Sequence, residues 1–389
     1  MIRAKKVCFS ATKEMIQRLF ECNRISASIW NECLQLAKQY SLSQDGKWIG
    51  KTQLQRELKG KYALHSQSIQ AVAHTYLFAR DATHQAIKKG IRTACYPYKK
   101  KHHFNTKWVD KGFRIHANGR IELSMGRGRN PIVVHANLST LPKGDIKEIE
   151  CCYDNSLYFA ISFEDGISSV ENIGTRSVGV DLGEIHSIAS FCENGEALIV
   201  TGRKIRSIQR LRNKKIAELQ KLTSKCKKGS RQWRKYQRAK RFILSKSEKQ
   251  MQDALHKTTK QFVDWCLLQE AKHIYVGNPE GVQRHTKKKN RKKTNQKLSN
   301  WSFGKLKQYI QYKTAQHGMN CVFVEESYTS QTCPCCQNRR KVTSRNYICT
   351  CGYQEHRDIH GARNILSKSL YKQMQHIPVE TKQTYLRIA

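Results

Sequence analysis

The chain has 389 residues, which is enough for two or three domains with buried cores. Its 71 Lys and Arg residues against 30 Asp and Glu give a formal net charge of +41, so a folded chain would repel itself unless a polyanion neutralised it. This balance favours a nucleic-acid partner, whereas the lack of any unbroken apolar stretch of about 18 residues argues against a membrane-spanning protein.

The N-terminal part of the chain predicts helices carried on a small β-barrel-like unit. Residues 3–9 alternate as a strand does, and apolar side chains at helical spacing predict helices over 12–40 and about 69–89. Strand patterns follow at 113–115, 120–123 and 132–135, and a hairpin over 146–163 turns at Asp154-Asn155. From this order we expect a helical insertion in the barrel.

From about residue 175 onward the pattern changes to alternating strands and helices. A strand over 177–181 ends in the carboxylate of Asp181, and two more strands, at 187–191 and 197–200, follow it closely. The later predicted elements are helices at 205–222 and 233–268, a strand at 273–277, a helix at 303–316 and a strand at 321–325. Three antiparallel strands with an acid ending the first are typical of a ribonuclease-H-like sheet, so we predict an α/β nuclease-like domain.

A cluster of cysteines predicts a zinc site. Cys333 and Cys336 have the C-x₂-C spacing that lets two thiolates from one turn bind a single tetrahedral zinc, and Cys349 and Cys351 form a second pair. Only one residue separates the second pair, so either Cys335 substitutes for a ligand or the second knuckle is distorted. The other cysteines are scattered singly through apolar segments. With no apolar region following the N-terminus that could act as a secretory signal, this points to a reducing compartment.

Acidic residues are scarce in this chain, so those at strand ends in apolar surroundings are informative. Asp181, the pair Glu325-Glu326 and Asp358 come from three separated segments. If three such carboxylates converge, they can hold two Mg²⁺ ions that activate a water and stabilise the leaving oxygen of a phosphodiester. Sequence spacing alone does not establish the convergence.

The densest block of positive charge lies between two predicted elements. Beside a phosphodiester site, we interpret it as a contact for a nucleic-acid backbone, although a solvated loop is the commoner role of such runs. Its members are Lys287, Lys288, Lys289, Arg291, Lys292 and Lys293.

These motifs, in this order, resemble the TnpB family, the RNA-guided DNA endonucleases encoded in bacterial insertion sequences and related to type V CRISPR effectors and Fanzor proteins. Val178-Gly179-Val180-Asp181-Leu182-Gly183 looks like the first RuvC motif, and Arg357-Asp358 with Gly361-Ala362-Arg363-Asn364-Ile365 looks like the third. Tyr328-Thr329-Ser330-Gln331-Thr332-Cys333 is similar to the segment that enters the zinc ribbon, and residues 97–163 are similar to the wedge-type barrel.

One departure from the family pattern concerns the second RuvC motif. The strand His273-Ile274-Tyr275-Val276-Gly277 has Gly277 where most of the family has a catalytic Glu. Some TnpB lineages and the Fanzor proteins are similar in lacking that Glu and carrying one just before the Thr-Ser-x-x-Cys segment, a position that Glu326 matches here. The resemblance therefore implies a triad of Asp181, Glu326 and Asp358, with Glu280 as the alternative to Glu326.

The resemblance implies an α/β multidomain fold, in which a RuvC (ribonuclease-H-like) nuclease domain contains an inserted zinc ribbon and an N-terminal wedge barrel carries the helical recognition insertion. The expected boundaries are 1–11 and 95–172 for the barrel, 12–94 for the recognition helices, 173–328 and 355–373 for the nuclease domain, 329–354 for the ribbon and 374–389 for a C-terminal tail.

The implied activity is RNA-guided cleavage of double-stranded DNA at a single RuvC site, next to a short target-adjacent motif. Two catalytic Mg²⁺, for which Mn²⁺ can substitute, and one structural Zn²⁺ are the expected cofactors. The expected partners are a guide RNA from the transposon end and target DNA, with one protein per RNA, no membrane and a bacterial cytoplasmic, nucleoid-associated location. A nuclease-inactive RNA-guided repressor, suggested by Gly277, and a transposase that joins DNA ends remain as alternatives.

Overall fold

The computed structural model describes residues 2–44, 46–91, 93–166, 171–278, 295–296 and 299–388. The chain divides into two compact units, residues 1–168 and residues 169–389. In the part of the chain that the structure describes, no helix combines the length and the apolar character needed to cross a bilayer.

Among the described residues, the first unit contains three α-helices and two four-stranded antiparallel sheets. The helices are α1 (Lys13–Ser43), α2 (Lys51–Leu58) and α3 (Ser66–Lys88). The strands are β1 (Ile2–Val7), β2 (Phe9–Ser10), β3 (Thr106–Val109), β4 (Phe113–Ile115), β5 (Arg120–Leu123), β6 (Ile132–Ala136), β7 (Asp145–Asp154) and β8 (Ser156–Glu164). One sheet has the order β1-β8-β7-β3 and the other the order β2-β6-β5-β4.

All three helices of the first unit lie between β2 and β3 in the sequence, and they share one hydrophobic core with the strands. Helix α1 begins where the Thr12 side chain accepts a hydrogen bond from the Met15 amide, as an N-cap does. Buried Asn23 of α1 accepts hydrogen bonds from the amide and hydroxyl of Thr106, at 2.9 and 2.8 Å, and so ties the helix to β3. Its polar group is thereby satisfied inside the core.

The second unit is built on a six-stranded mixed sheet of order β13-β12-β9-β10-β11-β16. Its strands are β9 (Arg176–Asp181), β10 (His186–Cys192), β11 (Glu196–Thr201), β12 (Ala271–Gly277), β13 (Asn320–Val324) and β16 (Lys382–Leu386), and a separate hairpin is formed by β14 (Asn346–Ile348) and β15 (Gln354–His356). Its helices are α4 (Arg203–Ser224), α5 (Arg231–Leu268), α6 (Phe303–Gln316) and α7 (Arg357–Tyr371).

The six-stranded sheet has a hydrophobic core on each face because its strand residues alternate. Ile188, Leu198 and Val200 point to the face covered by α5 and α6, whereas Phe191 and Ile199 point to the face covered by α7. Strand β10 runs antiparallel to both of its neighbours, β9 and β11, and β12 and β13 run parallel to β9. The four inner strands are therefore largely buried, whereas the outer strands β13 and β16 are more exposed.

Some elements differ from the sequence predictions. Helix α2 and strand β3 were not predicted, because each is too short to establish a periodic pattern. The segment 374–389, expected to be a tail, contributes β16, which pairs in parallel with β11 from Glu196–Lys382 to Val200–Leu386. Strand β16 is largely polar, so its conformation depends on the exposed edge of β11 rather than on its own pattern.

Candidate active site and metal centre

The parallel strands β9, β12 and β13 terminate at the same end of the six-stranded sheet. Asp181 is the last residue of β9, Gly277 of β12 and Val324 of β13. The register pairs Val276 with Val180 and Gly277 with Val324, so Gly277 lies between the ends of the two neighbouring strands. The carboxyl ends of parallel strands are where α/β sheets commonly place functional groups.

The carboxylate of Glu326 lies next to Gly277, on the side where a side chain would begin. A Cβ atom added to Gly277 would be only 2.5 Å from Oε2 of Glu326, closer than nonbonded atoms approach. The preceding Glu325 points away, is largely exposed and pairs with Lys368. The structure thus brings Glu326, and not Glu325, into the space that a side chain on Gly277 would occupy.

Asp358 reaches the same end of the sheet from the first turn of α7. One turn further on, a Cβ atom added to Gly361 would be 2.9 Å from Oδ2 of Asp181, so the Asp181 carboxylate lies against this end of the helix. The charges of Glu326 and Asp358 both act on Asp181, so carboxylates from β9, from the segment after β13 and from α7 lie near one another at this end of the sheet. Their role as a catalytic triad stays a prediction.

Electrostatics within this carboxylate cluster favour a bound cation. Burial together with the negative charges of Glu326 and Asp358 raises the pKa of Asp181 to about 8. Burial and the adjacent Glu325 also raise the pKa of Glu326, although Lys307 opposes this. Carboxylates that repel one another in this way are the oxygen donors that Mg²⁺ prefers, so the residues fit a divalent metal.

Asp358 differs from its neighbours because two histidines contact it. Burial would raise the pKa of Asp358, but the hydrogen bond from His186 and the charges of nearby basic groups hold it below its usual value. His186 Nδ1 lies 2.5 Å from Asp358 Oδ2, and His356 Nδ1 accepts a hydrogen bond from the Asp358 amide at 3.3 Å. The sequence analysis assigned no role to either histidine. The available signal was that His186 is the first residue of a buried strand.

Two groups of predicted site residues cannot be placed. Glu280, the alternative third carboxylate, lies outside the described residues, and so does the basic run. That run comprises Lys287, Lys288, Lys289, Arg291, Lys292 and Lys293.

The four predicted zinc ligands come together beside the β14–β15 hairpin. The Sγ atoms of Cys333 and Cys351 are 3.6 Å apart, those of Cys336 and Cys349 are 3.4 Å apart, and all four lie within 4.8 Å of one another. Four thiolates about 2.3 Å from a tetrahedral zinc would be separated by comparable distances. This cluster could bind zinc, and the single-residue spacing of the second pair does not prevent it.

Cys335 is exposed and is not part of the cysteine cluster. Within the cluster, a hydrogen bond from the Cys351 backbone is the largest influence that lowers the pKa of Cys349, and the neighbouring thiols act in the same direction. A lowered thiol pKa favours the thiolate form that zinc binds.

The cysteine hairpin is packed against the helix that carries Asp358. Tyr347 of β14 stacks on His360 of α7 with ring centroids 3.9 Å apart. Buried Asn364 donates hydrogen bonds to the carbonyls of Thr329 and Thr332, both at 2.8 Å, in the segment that enters the cysteine cluster. The metal-binding hairpin and the carboxylate cluster are therefore linked through one helix.

Comparison with protein families finds two matches. Residues 161–283 match a family described as probable transposase, and residues 303–365 match the Cas12f1-like, TNB domain. The second match covers the segment from α6 to the first half of α7, and so includes Glu326, the four cysteines and Asp358.

Among individual proteins, the chain is 31% identical over 147 residues to the CRISPR-associated endodeoxyribonuclease Cas12f2 of a Micrarchaeota archaeon, covering 35% of this chain but only 27% of that protein. It is 26% identical over 197 residues to the TnpB-like protein MJ0751 of Methanocaldococcus jannaschii, covering 49% of this chain and 68% of the relative.

The fold is also similar to that of a solved structure. The cryo-EM structure of a Cas12f1–sgRNA–target DNA complex superimposes with a TM-score of 0.65 at 13% identity, over 93% of this chain and 84% of that one. This similarity shows a shared fold over nearly the whole chain.

Proposed function

Because the chain belongs to the TnpB family, we propose that it is an RNA-guided DNA endonuclease that cleaves double-stranded target DNA at a single two-metal site. The proposal rests on the proximity of Asp181, Glu326 and Asp358 at one end of the sheet, where the pKa of Asp181 is raised to about 8. The strand order β11-β10-β9-β12-β13 supports a ribonuclease-H-like, RuvC-type assignment of the second unit.

In this proposal the three carboxylates hold two Mg²⁺ ions, and Mn²⁺ can substitute for them. When bound, the ions would activate a water and stabilise the leaving oxygen of the phosphodiester. The raised pKa keeps the free carboxyl of Asp181 largely protonated near neutral pH, so Asp181 would have to release its proton to hold a cation. Glu326 supplies from its own segment the carboxylate that Gly277 lacks, and the absence of a side chain on Gly277 leaves room for it.

The remaining parts of the chain have supporting roles in the proposal. The four cysteines hold one structural Zn²⁺, which keeps the hairpin rigid against α7. The two-sheet unit and its helices act as the wedge barrel and the recognition insertion. The net charge of +41 neutralises the phosphates of the RNA and the DNA, and the basic run at 287–293 contributes to this.

The guide in this proposal is an RNA transcribed from the end of a transposable element, and the target carries a short adjacent motif. Base pairing selects the sequence, while the protein contacts the A-form heteroduplex through its backbone and shape. Sequencing the RNA that co-purifies with the protein tests this part. A discrete RNA with a variable 3′ end is expected, and the absence of any such RNA would contradict the guided mechanism.

Adjacent glutamates provide a matched test of the active site. The purified RNA complex with Mg²⁺ is expected to cut a plasmid that carries the matched target. Glu326→Gln should abolish cutting while RNA binding persists, whereas Glu325→Gln should cut like the wild type, because Glu325 points away and pairs with Lys368.

Full cutting by the Glu326→Gln variant would show that another group, such as Glu280, completes the site. Tight guided binding by the wild type without cutting in either Mg²⁺ or Mn²⁺ would instead indicate a nuclease-inactive repressor.

A further inference from the structure

The contact between His186 and Asp358 is part of the proposed active site, yet the motifs do not account for it. One ligand atom each of His186, His356 and Asp358 lies within 4.8 Å of the others, so these residues either hold a cation together or act on the Asp358 carboxylate. We propose that His186 is a positioning residue, whose Nδ1–H holds one oxygen of the Asp358 carboxylate and leaves the other oxygen to the cation. This inference rests on the proposed function, in which Asp358 is a metal ligand.

His186 is held rigidly enough for such a role. It is the first residue of β10, its side chain is 9% exposed, and its Nδ1 lies 2.5 Å from Asp358 Oδ2. The ring meets His356 at a centroid distance of 5.4 Å and Tyr385 edge-on at 5.7 Å, so aromatic neighbours restrict its rotation. A hydrogen bond from the Gly202 amide to the Ile185 carbonyl, at 2.8 Å, fixes the backbone just before it.

The neighbouring His356 already has a different task. Its Nδ1 accepts the Asp358 amide at the N-cap of α7, so this nitrogen positions the backbone of Asp358. A neutral imidazole that accepts at Nδ1 carries its proton on Nε2, which then offers no lone pair to a metal. Asp358 is therefore held at two points, its amide by His356 and its carboxylate by His186.

Arg345 is the other cationic group near the Asp358 carboxylate, with Nη1 at 3.9 Å, and its side chain is 53% exposed. At this distance and exposure, solvent screens the charge of Arg345, and the guanidinium does not fix the orientation of the Asp358 carboxylate. The short contact with the buried imidazole is thus the one that can orient the carboxylate. Hydrogen bonds from outside the ligand set orient metal-bound carboxylates in this manner.

Three substitutions at His186 separate positioning from direct metal ligation. The Asn amide nitrogen can occupy the place of Nδ1, whereas the Gln amide reaches the place of Nε2. We expect His186→Ala to weaken Mn²⁺ binding about 10–100-fold, measured by calorimetry on the full-length protein with its RNA. His186→Asn should recover most of the affinity and His186→Gln should not, while His317→Ala, at an exposed helix end, should leave it unchanged.

A second readout needs neither metal nor target. In the Mg²⁺-free protein labelled with ¹⁵N-histidine, the Nδ1–H proton of His186 should resonate far downfield because it donates to a carboxylate. Substituting Asp358→Asn should move that resonance upfield.

Wild-type Mn²⁺ affinity in His186→Ala, or rescue by Gln rather than Asn, would overturn the positioning role. Because the metal titration uses no DNA, a protein whose Mn²⁺ affinity falls in His186→Ala and is recovered in His186→Asn, but that never cuts, would refute the nuclease proposal and leave this one standing.

A separate observation concerns a cleft of about 1310 Å³ in the first unit. Aromatic and basic side chains of four segments line it, and we call it the aromatic cleft. Its characteristic residues are Lys38, Trp48, Arg80, Tyr96, Tyr98 and Lys100. Trp48 is 42% exposed and Tyr98 is 69% exposed, so both rings are accessible to a ligand in the cleft.

Two rings and one guanidinium that contact Trp48 fix its plane, and the guanidinium lies over one of its faces. The Tyr96 ring meets it at 85° with centroids 5.6 Å apart, and His84 meets it at 76° and 4.8 Å. The Arg80 guanidinium lies 4.7 Å from the ring centroid and is anchored by a hydrogen bond to the Ile49 carbonyl. A fixed, partly exposed indole among cations has the features of a stacking platform for an unpaired base with its phosphates.

From this arrangement we infer that the aromatic cleft binds a short single-stranded nucleic-acid segment, with a base stacked near Trp48. Lys38 and Lys100 line the same cleft and would face its phosphates, while the acidic Glu32 is already paired with Lys61. The site tolerates any base, because every base has a π-face. It goes beyond the proposed function, which assigns no residue to single-stranded segments.

The test uses ~12-nucleotide oligouridylate and oligothymidylate carrying 5-iodouracil, in about 0.5 M salt so that general phosphate attraction is screened. Irradiation should give adducts on Trp48 or Tyr96. Trp48→Ala should weaken oligonucleotide binding about 5–150-fold, while Trp48→Phe retains most of it.

The matched control is Phe78→Ala, a change at an exposed aromatic of the same unit that lies outside the cleft, and it should have no effect. Tighter binding of the RNA oligonucleotide would assign the cleft to the guide, and tighter binding of the DNA would assign it to the target. Adducts confined to other regions, or unchanged binding by Trp48→Ala, would overturn the site.

Discussion

At the scale of single residues, Gly277 and Glu326 bear on the proposal that the third carboxylate of the site comes from a position other than the end of β12. A side chain at Gly277 would start 2.5 Å from the Glu326 carboxylate, so the two positions compete for one volume. The absence of a carboxylate on β12 therefore does not by itself indicate an inactive site. Because Gly277 has no side chain, the space beside it is open to the carboxylate of Glu326 from the segment after β13.

Asp181 makes the stability of the protein depend on pH in a definite direction. Its pKa is raised from 3.8 to about 8 in the folded state, so the folded state binds more protons than the unfolded state between these values. Stability contributed by this group is therefore present at low pH and decreases as the pH rises towards 8. Without added divalent cations, Asp181→Asn should raise the Tm, and the gap from the wild type should widen between about pH 4 and pH 8.

Thermal denaturation of both proteins across this pH range measures the gap. The neighbouring Glu325→Gln is the control and should show no such widening, because Glu325 is exposed and its pKa is lowered by Lys368 rather than raised. A gap independent of pH would show that Asp181 is ionised in the folded protein at all these values.

At the scale of elements, α7 joins the carboxylate cluster to the cysteine hairpin and to the C-terminal segment. Buried Arg363 donates to both oxygens of Glu355, at 2.9 and 3.1 Å, and to the Ile377 carbonyl at 2.8 Å. These contacts hold β15, α7 and residues 377–381 in one arrangement, so a change here acts on the orientation of Asp358.

Removing this buried arginine should destabilise the second unit strongly. Arg363→Leu leaves the Glu355 carboxylate buried without its partner, which costs about 3–5 kcal/mol in comparable cases. Lys368→Leu, on the same helix but paired with exposed Glu325, should change the free energy of unfolding by about 1 kcal/mol or less. Urea denaturation of the two variants provides the comparison, and equal effects would refute the structural role of Arg363.

The cysteine hairpin provides a second test at this scale. Cys351→Ser should lower the zinc content from about one ion per chain, because it removes one of four clustered thiolates. Cys335→Ser should leave the content unchanged, since Cys335 lies outside the cluster. Elemental analysis of the purified variants decides between them, and zinc loss in Cys335→Ser would show that the ligand set is different.

At the scale of the whole molecule, the charge of +41 favours a polyanionic partner, which in the proposed function is nucleic acid. A guide–target heteroduplex of about 20 base pairs carries about 40 phosphates, a number of the same order. We expect RNA affinity to fall at least about a thousandfold between roughly 50 and 200 mM salt, as several phosphate contacts release their counterions. Filter binding across this range measures the slope, and an affinity insensitive to salt would contradict an electrostatic interface.

Much of this protein could be predicted from the sequence because the patterns are local. The apolar strand ending in Asp181, the strands after it and the helices of the second unit follow from side-chain periodicity. The cysteine pairs identify a metal site because thiolates a few residues apart share one turn. The motif order in turn indicated the family that the comparisons support.

The tertiary structure alone decided which residues meet. The register of β12 between β9 and β13 places Gly277 at the end of the sheet. The carboxylate next to Gly277 is that of Glu326 and not that of Glu325. In the same way, α7 brought Asp358 to His186, which lies 172 residues away in the sequence. The sequence determined the local elements and the chemistry available, whereas contacts between distant segments depend on strand pairing and helix packing that no local pattern encodes.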